Sequence, residues 1–374
     1  MTLISKKKNR YHRKLIKLFP VLICLLCLIQ SPVYAQHLQF KKISPANKDL
    51  VYAGRINFSN PAQPIFYWAG NSATISFTGT KVAVILDDAK GNNYFDVIVD
   101  RDGSQRHVIA CKKGRHIYLI SNHLTAGRHT IQIFRRTDPT WLGTKFDGIE
   151  IGKKATVFKP DIHHKLKIAY YGDSITSGYG VLSQNRKNEA RASVMDNYDT
   201  YDAMTARHFN AAFRAISRSG IGITKSWFPL VMPQMYDRLN PNDSHSHWDF
   251  SKWTPDIVVI NLFQNDKWLV AREKNPPSKQ QIIQAYVHFV KSLLKEYPKA
   301  TYICMLGNMD ITSKGSPWPG YVKQAVNDLR KDGFHKIYNL DVPYKQTIGH
   351  PNIAEQHAME NYLINKIDKV YFHH

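Results

Sequence analysis

From about residue 50 to residue 152 the chain alternates short apolar and polar positions. Ala73–Phe77, Val82–Leu86, Tyr94–Val99, His116–Ile120 and His129–Phe134 are rich in β-branched and aromatic residues. Turn formers divide them: Gly79, Gly91–Asn93, Asp100–Gly103 and Ala126–Gly127. A period of two with no long helical period predicts half-buried strands, and many such strands predict a β-sandwich or jelly roll of about 100 residues. No nucleophile signature falls in this half.

Beyond a linker around 153–165 the rhythm changes. Leu166–Tyr170, Ile257–Leu262 and Thr301–Leu306 are continuous apolar runs, the pattern of strands buried on both faces. Between and after them, 198–210, 281–297 and 352–367 carry helical spacing, with Ile282, Ile283, Tyr286, Phe289, Val290 and Leu293 on one face of the second. Such alternation predicts a parallel sheet in a three-layer α/β/α domain, with ligands at the carboxyl ends of the strands. The expected division is a leader over 1–35, a sandwich over 36–158 and the α/β/α domain over 159–374.

The leader is expected from seven cations between Lys6 and Lys17, an apolar run from Leu18 to Ile29, and small residues at Val33–Ala35. That run is shorter than the roughly 20 residues of a membrane span, so cleavage near Ala35 and a secreted or periplasmic protein are expected. Of the formal charge of +22, the leader holds seven, leaving +15. This favours acidic polymers or surfaces at long range, but no zinc-finger spacing, RNP motif or dense basic block supports nucleic-acid binding. Only Cys111 and Cys304 lie beyond the leader, so the chain is no disulfide scaffold, and a single bridge stays open. No zinc-like Cys/His spacing occurs, and no cofactor or metal is expected.

Chemistry enters at Tyr171-Gly-Asp-Ser-Ile-Thr-Ser-Gly-Tyr-Gly180, directly after a predicted strand. A glycine-rich turn at a strand end exposes a serine Oγ and lets backbone N–H groups reach an oxyanion. The same residues also suit a plain strand-to-helix turn capped by Asp173 or Ser174. Three later segments bear on the choice. Gly220, in Ser217-Arg-Ser-Gly-Ile-Gly222, offers a backbone donor, Asn265 a side-chain amide at a strand end, and His350 a base just before the last helix.

These blocks resemble those of the SGNH, or GDSL-like, hydrolases: Gly172-Asp-Ser-Ile175, Ser219-Gly220, Asn265-Asp266 and His350-Pro-Asn352. The chain is most similar to carbohydrate esterase family 2, through Gly54-Arg55, Phe77–Thr80, Gly127–His129, Arg135–Thr137, Gly172–Gly180, Met235–Arg238 and Trp253–Asn261. That resemblance implies an N-terminal jelly roll joined to an SGNH domain, and metal-free removal of acetyl groups from polysaccharides such as xylan or glucomannan. It implies Ser174 as nucleophile, His350 as base and then acid, an oxyanion hole from the N–H groups of Ser174 and Gly220 with the Asn265 side chain, and Asp266 as scaffold.

Two departures stand out. Phe263 occupies a position that is usually glycine, where its ring is expected to narrow the acyl pocket or move the Asn265 loop. Residues 347 and 348, where the group tends to carry an aspartate, are Thr and Ile, which implies a Ser174–His350 dyad with His350 oriented by a backbone carbonyl, water or some distant acid; Asp341 is the nearest upstream acid. Trp268 and Trp141 are candidates either to stack on sugar rings or to pack in the core or domain interface, whereas the basic loop 185–191 is expected to be solvated, with a place at the rim of the cleft as the alternative. Absence of Gly-x-Ser-x-Gly argues against an α/β-hydrolase, since Thr176 stands at the second glycine. A carbohydrate-binding protein with a decayed site, and a lipid esterase or thioesterase, remain the alternatives.

Overall fold

The computed structural model describes residues 39–373, so the expected leader lies outside the described residues. Two six-stranded antiparallel sheets form the first half. One contains β1 (Phe40–Ile43), β3 (Ile56–Asn57), β4 (Ile65–Phe66), β6 (Val82–Asp88), β9 (Gly114–Ser121) and β11 (Thr144–Gly152). The other contains β2 (Val51–Ala53), β5 (Ser72–Thr78), β7 (Tyr94–Val99), β8 (Arg106–Ala110), β10 (Arg128–Arg135) and β12 (Val157–Phe158). Alternate residues from both, including Ile75 and Phe77 on β5, Val84 and Leu86 on β6 and Phe146 on β11, meet in one apolar core. This is the jelly-roll-like sandwich the alternation predicts.

The second half is a five-stranded parallel sheet in the order β14-β13-β15-β16-β17. Its strands are β13 (Leu166–Gly172), β14 (Ala211–Ser217), β15 (Ile257–Asn261), β16 (Thr301–Leu306) and β17 (Ile337–Asp341). The helices are α1 (Ser174–Ser177), α2 (Tyr201–His208), α3 (Gln264–Val270), α4 (Lys279–Glu296), α5 (Trp318–Lys331) and α6 (Ile353–Ile367). Strand residues alternate between two cores. Ala169, Tyr171, Val258 and Ile260 pack with α4 and α5 on one face, while Ile168, Tyr170, Ile257 and Val259 pack with α2 and α6 on the other. Strand order reverses between β14 and β15, on either side of β13, and the crevice beyond the strand ends at such a switch point is where α/β sheets bind ligands.

The turn after β10 joins the halves, and it is held from inside by Arg135. This wholly buried guanidinium donates to the carbonyl oxygens of Phe66 (2.6 Å), Thr137 (2.8 Å), Asp138 (3.2 Å) and Leu142, and to Asn93 Oδ1 at 2.8 Å. Burial pushes it down to about 10, and Asp88 and Asp138 oppose that shift. Its neighbour Arg136 lies 3.6 Å from Asp96 on β7 and 3.5 Å from Asp196 in the second half. Arg106 adds contacts to Asp196 (3.3 Å) and Asp199 (2.6 Å). Burial holds Asp96 and Asp196 above the usual carboxylate range; repulsion from Asp199 adds to both, and repulsion from Asp96 adds at Asp196. Cys111 and Cys304 are both free and buried, which closes the disulfide question.

Because Arg135 satisfies several buried carbonyls, Arg135→Met should destabilise the fold by about 3–5 kcal/mol, the range for removing one partner of a buried charged network. A thermal-melt or denaturant midpoint equal to wild type would contradict that role.

Candidate active site

β13 ends at Gly172, and the chain turns at once into α1. A Cβ on Gly172 would lie 1.9 Å from Thr176 Oγ1, so the tight turn requires glycine. Asp173 caps α1 by accepting from the Ile175 N–H at 3.0 Å. A four-residue helix has no stability of its own; its neighbours hold it. Thr176 Oγ1 meets Tyr201 OH (2.8 Å), Ser177 Oγ donates to Ser217 Oγ (2.9 Å), and the carbonyls of Ile175 and Thr176 accept from Gln356 (3.0 Å) and Asn197 (2.8 Å). Ser174 is the first helical residue, so its N–H has no intrahelical acceptor.

His350 Nε2 lies 2.9 Å from Ser174 Oγ. Its position is fixed by the start of α6, where Asn352 and Glu355 form a reciprocal capping box, and by Gln356, which reaches back to α1. The other face of the imidazole meets a carboxylate that the sequence reading did not assign. Glu189 Oε2 is 2.9 Å from His350 Nδ1, and Oε1 accepts the His350 backbone N–H at 3.1 Å. This corrects two expectations: the serine and histidine are not a bare dyad, and the loop 185–191 is not merely solvated. Asp341, the nearest acid upstream, instead ends β17 opposite Leu306.

Room for Glu189 comes from two glycines. A Cβ on Gly349 would fall 2.1 Å from Glu189 Oε1, and one on Gly180 would fall 2.8 Å from its Cγ. With Nδ1–H donated to the carboxylate, Nε2 presents its lone pair to the serine hydroxyl, the tautomer a general base requires. The Tyr179 ring packs 4.6 Å from the imidazole, centroid to centroid.

Gly220 follows β14 with φ +84°, a conformation natural to glycine. Its loop is anchored across the domain junction, because the Ser219 N–H donates to Asp138 Oδ2 at 2.7 Å. Asn265, near the start of α3, donates to Ile221 O (2.8 Å), lies 3.4 Å from Asp173 Oδ2, and accepts from Trp227 Nε1 (3.0 Å). Asp266 is fully buried and accepts from the N–H groups of Ile223 (3.0 Å), Thr224 (2.6 Å) and Lys225 (3.1 Å), which is a scaffold's role. Desolvation raises its carboxyl, and these bonds oppose that shift. Desolvation also pushes Asp173 up to about 7.

The aromatic candidates separate. Phe263 adopts φ +83° and is fully buried, its ring 5.0 Å from Tyr286 and 5.1 Å from Trp318. The left-handed backbone explains why glycine suits this position, and the ring points into the core rather than into an acyl pocket, contrary to expectation. Trp268 is spent on packing and on a 3.0 Å bond to Asp310. Trp141 sits half-buried in the Pro139–Trp141 turn beside Asp138. Trp227, 53% exposed and bonded to Asn265, is the aromatic face that the fold presents beside Gly220.

Phe263→Gly would relieve about 1–2 kcal/mol of left-handed strain and forfeit about 3–5 kcal/mol of aromatic burial. The variant should therefore be less stable by about 1–4 kcal/mol, as read from denaturant unfolding; a stabilised variant would show that strain outweighs packing.

Comparison with known proteins agrees with this architecture. The family model described as carbohydrate esterase 2 N-terminal matches residues 52–160. A cellulase/esterase of Acetivibrio thermocellus is 29% identical over 329 residues, covering 86% of this chain, which spans 39% of that protein's length. An acetylxylan esterase / glucomannan deacetylase of Cellvibrio japonicus is 25% identical over 338 residues, covering 84% of this chain and 89% of that protein. The solved structure of a family two carbohydrate esterase from Clostridium thermocellum, in complex with cellohexaose, matches with a TM-score of 0.77 and 29% identity over 86% of this chain and 98% of that one. Sandwich, parallel sheet and serine turn thus agree together: the chain is similar over most of its length to family two carbohydrate esterases, with an SGNH-like α/β/α fold in its second half.

Proposed function

We propose that the protein is a secreted carbohydrate O-acetylesterase that works through an acyl-enzyme on Ser174. The observation that carries this reading is the continuous hydrogen-bonded path from Ser174 Oγ through His350 to Glu189, with both ring nitrogens at 2.9 Å from their partners. The relatives support the substrate class by being named as acetylxylan esterase / glucomannan deacetylase and as cellulase/esterase. The basic and apolar segments of residues 1–35 support export.

In the proposed cycle Ser174 Oγ attacks the acetyl carbonyl carbon while His350 Nε2 takes the hydroxyl proton. Negative charge gathers on the former carbonyl oxygen, which the N–H groups of Ser174 and Gly220 stabilise in this reading; Asn265 Nδ2 joins them as third donor by exchanging its long 3.4 Å bond to Asp173 for the oxyanion. His350 then passes its proton to the sugar oxygen as the C–O bond breaks. Water, deprotonated by the same nitrogen, hydrolyses the acetyl-serine and releases acetate. Glu189 does not accept the proton; it fixes the tautomer and stabilises the imidazolium. Trp227 offers a flat apolar face to a sugar ring close to the reacting ester.

Ser174→Ala should abolish acetate release from acetylated xylan or glucomannan and prevent labelling by a fluorophosphonate. His350→Ala should stay folded and fail to acylate. Wild type that neither releases acetate nor labels would favour a non-catalytic carbohydrate-binding protein. Losing the correct tautomer drops turnover by about 10⁴ in a triad protease, so Glu189→Gln should lower kcat by about 10²–10⁴ with little change in KM, and Glu189→Asp should recover part of it. Equal kcat in wild type and Glu189→Gln would return the site to a dyad. Asn265→Ala should lower turnover by about 10²–10³ if it supplies the third donor.

A further inference from the structure

The rim around the oxyanion loop carries more positive charge than the proposed cycle uses. Arg218 immediately precedes Ser219 and Gly220, and its guanidinium lies 4.2 Å from the centre of the Phe228 ring. Phe228 is itself the nearest neighbour of Gly220, with Cε1 3.3 Å from where a Cβ would stand. Arg272 lies 5.1 Å from the centre of the Trp227 ring. Each arginine therefore packs on one ring of the aromatic pair that borders Gly220 and Asn265.

Neither arginine forms an ion pair among the described residues, and the buried Nε of Arg218 has no partner there. Nearby carboxylates are already engaged. Asp138 accepts the N–H groups of Ser219 (2.7 Å) and Thr140 (3.0 Å), and Glu273 pairs with Lys225 at 2.6 Å. Burial lowers the Arg218 guanidinium, Asp138 opposes that shift and Arg238 adds to it, so another cation stands close by. Asp138, the acid nearest Arg218, is fully buried, and Glu273, next to Arg272 in the chain, is already paired with Lys225. A planar guanidinium with free N–H groups matches a carboxylate through two parallel bonds.

We propose that the acyl cleft selects acetylated glycans that carry carboxylates, that is, uronic acid residues, with Arg218 and Arg272, packed on Phe228 and Trp227, as the recognising cations. This rests on the esterase reading above and narrows it: a sugar ring stacks on Trp227, its ester points to Ser174, and a carboxylate on the same or an adjoining residue meets an arginine.

The test compares acetylated polygalacturonate with the same polymer after methyl esterification of its carboxylates, which removes their charge and leaves the acetyl esters in place. Charge-assisted hydrogen bonds have about the strength that corresponds to a tenfold rate ratio or more. Wild type should therefore release acetate from the charged polymer with kcat/KM about tenfold higher at low salt, and added salt should shrink that preference. In Arg218→Gln and Arg272→Gln, checked for fold by thermal melting, the ratio should move towards one. Equal release from both polymers by wild type, or a preference unchanged in both variants, overturns the proposal. Absence of acetate release from every acetylated glycan, neutral ones included, overturns instead the esterase reading on which it rests.

Discussion

The two-point hold of Glu189 on residue 350 is the constraint on which the rest of the site depends. One carboxylate oxygen accepts the backbone N–H, which fixes where the residue sits, and the other accepts the ring N–H, which fixes how the imidazole faces. Three segments far apart in sequence, the turn after β13, the loop before α2 and the loop before α6, are brought to one point by this bond and by that of His350 to Ser174. Gly180 and Gly349 belong to the same device, since a side chain at either would occupy the space of the glutamate.

Around this centre the fold uses buried polar groups as fixed struts. Asp266 gathers three successive backbone N–H groups of the loop beyond Gly220, and Arg135 gathers the carbonyls of the turn that reaches that loop from the sandwich. Each has its charge opposed by desolvation and retained by several hydrogen bonds at once, the condition under which buried polar groups specify one geometry. The loops bearing the donors are short and irregular, and without such struts nothing in their own sequence would hold them.

What the sequence made legible follows from range. The serine turn could be read because strand, glycine, cap and helix start are contiguous, and His350 because proline and the Asn352 cap mark a helix entry on their own. Glu189 could not be read in the same way, because its loop has no periodicity and its partner lies 161 positions away. The available signal was that it is the one acid within the basic stretch 185–191. The helix expected over 198–210 is shorter, Tyr201–His208, because Asn197–Asp199 form a separate 3₁₀ turn capped by Asp196. The strand Thr144–Gly152 escaped notice because a bulge near Gly148 breaks its alternation. The size of Phe263 predicts a narrowed pocket, whereas its backbone sends the ring into the core.

The bond from Ser219 to Asp138 changes what the sandwich is to this protein. A β-sandwich beside a hydrolase invites reading as a detachable module that carries the catalyst to its polymer. Here a carboxylate from the sandwich holds the residue next to Gly220, and Arg136 of the same turn grips Asp196, at the far end of the loop that carries Glu189. The two halves therefore build one candidate site across their boundary, and their spacing is set by the tolerance of a hydrogen bond rather than by the slack of a linker.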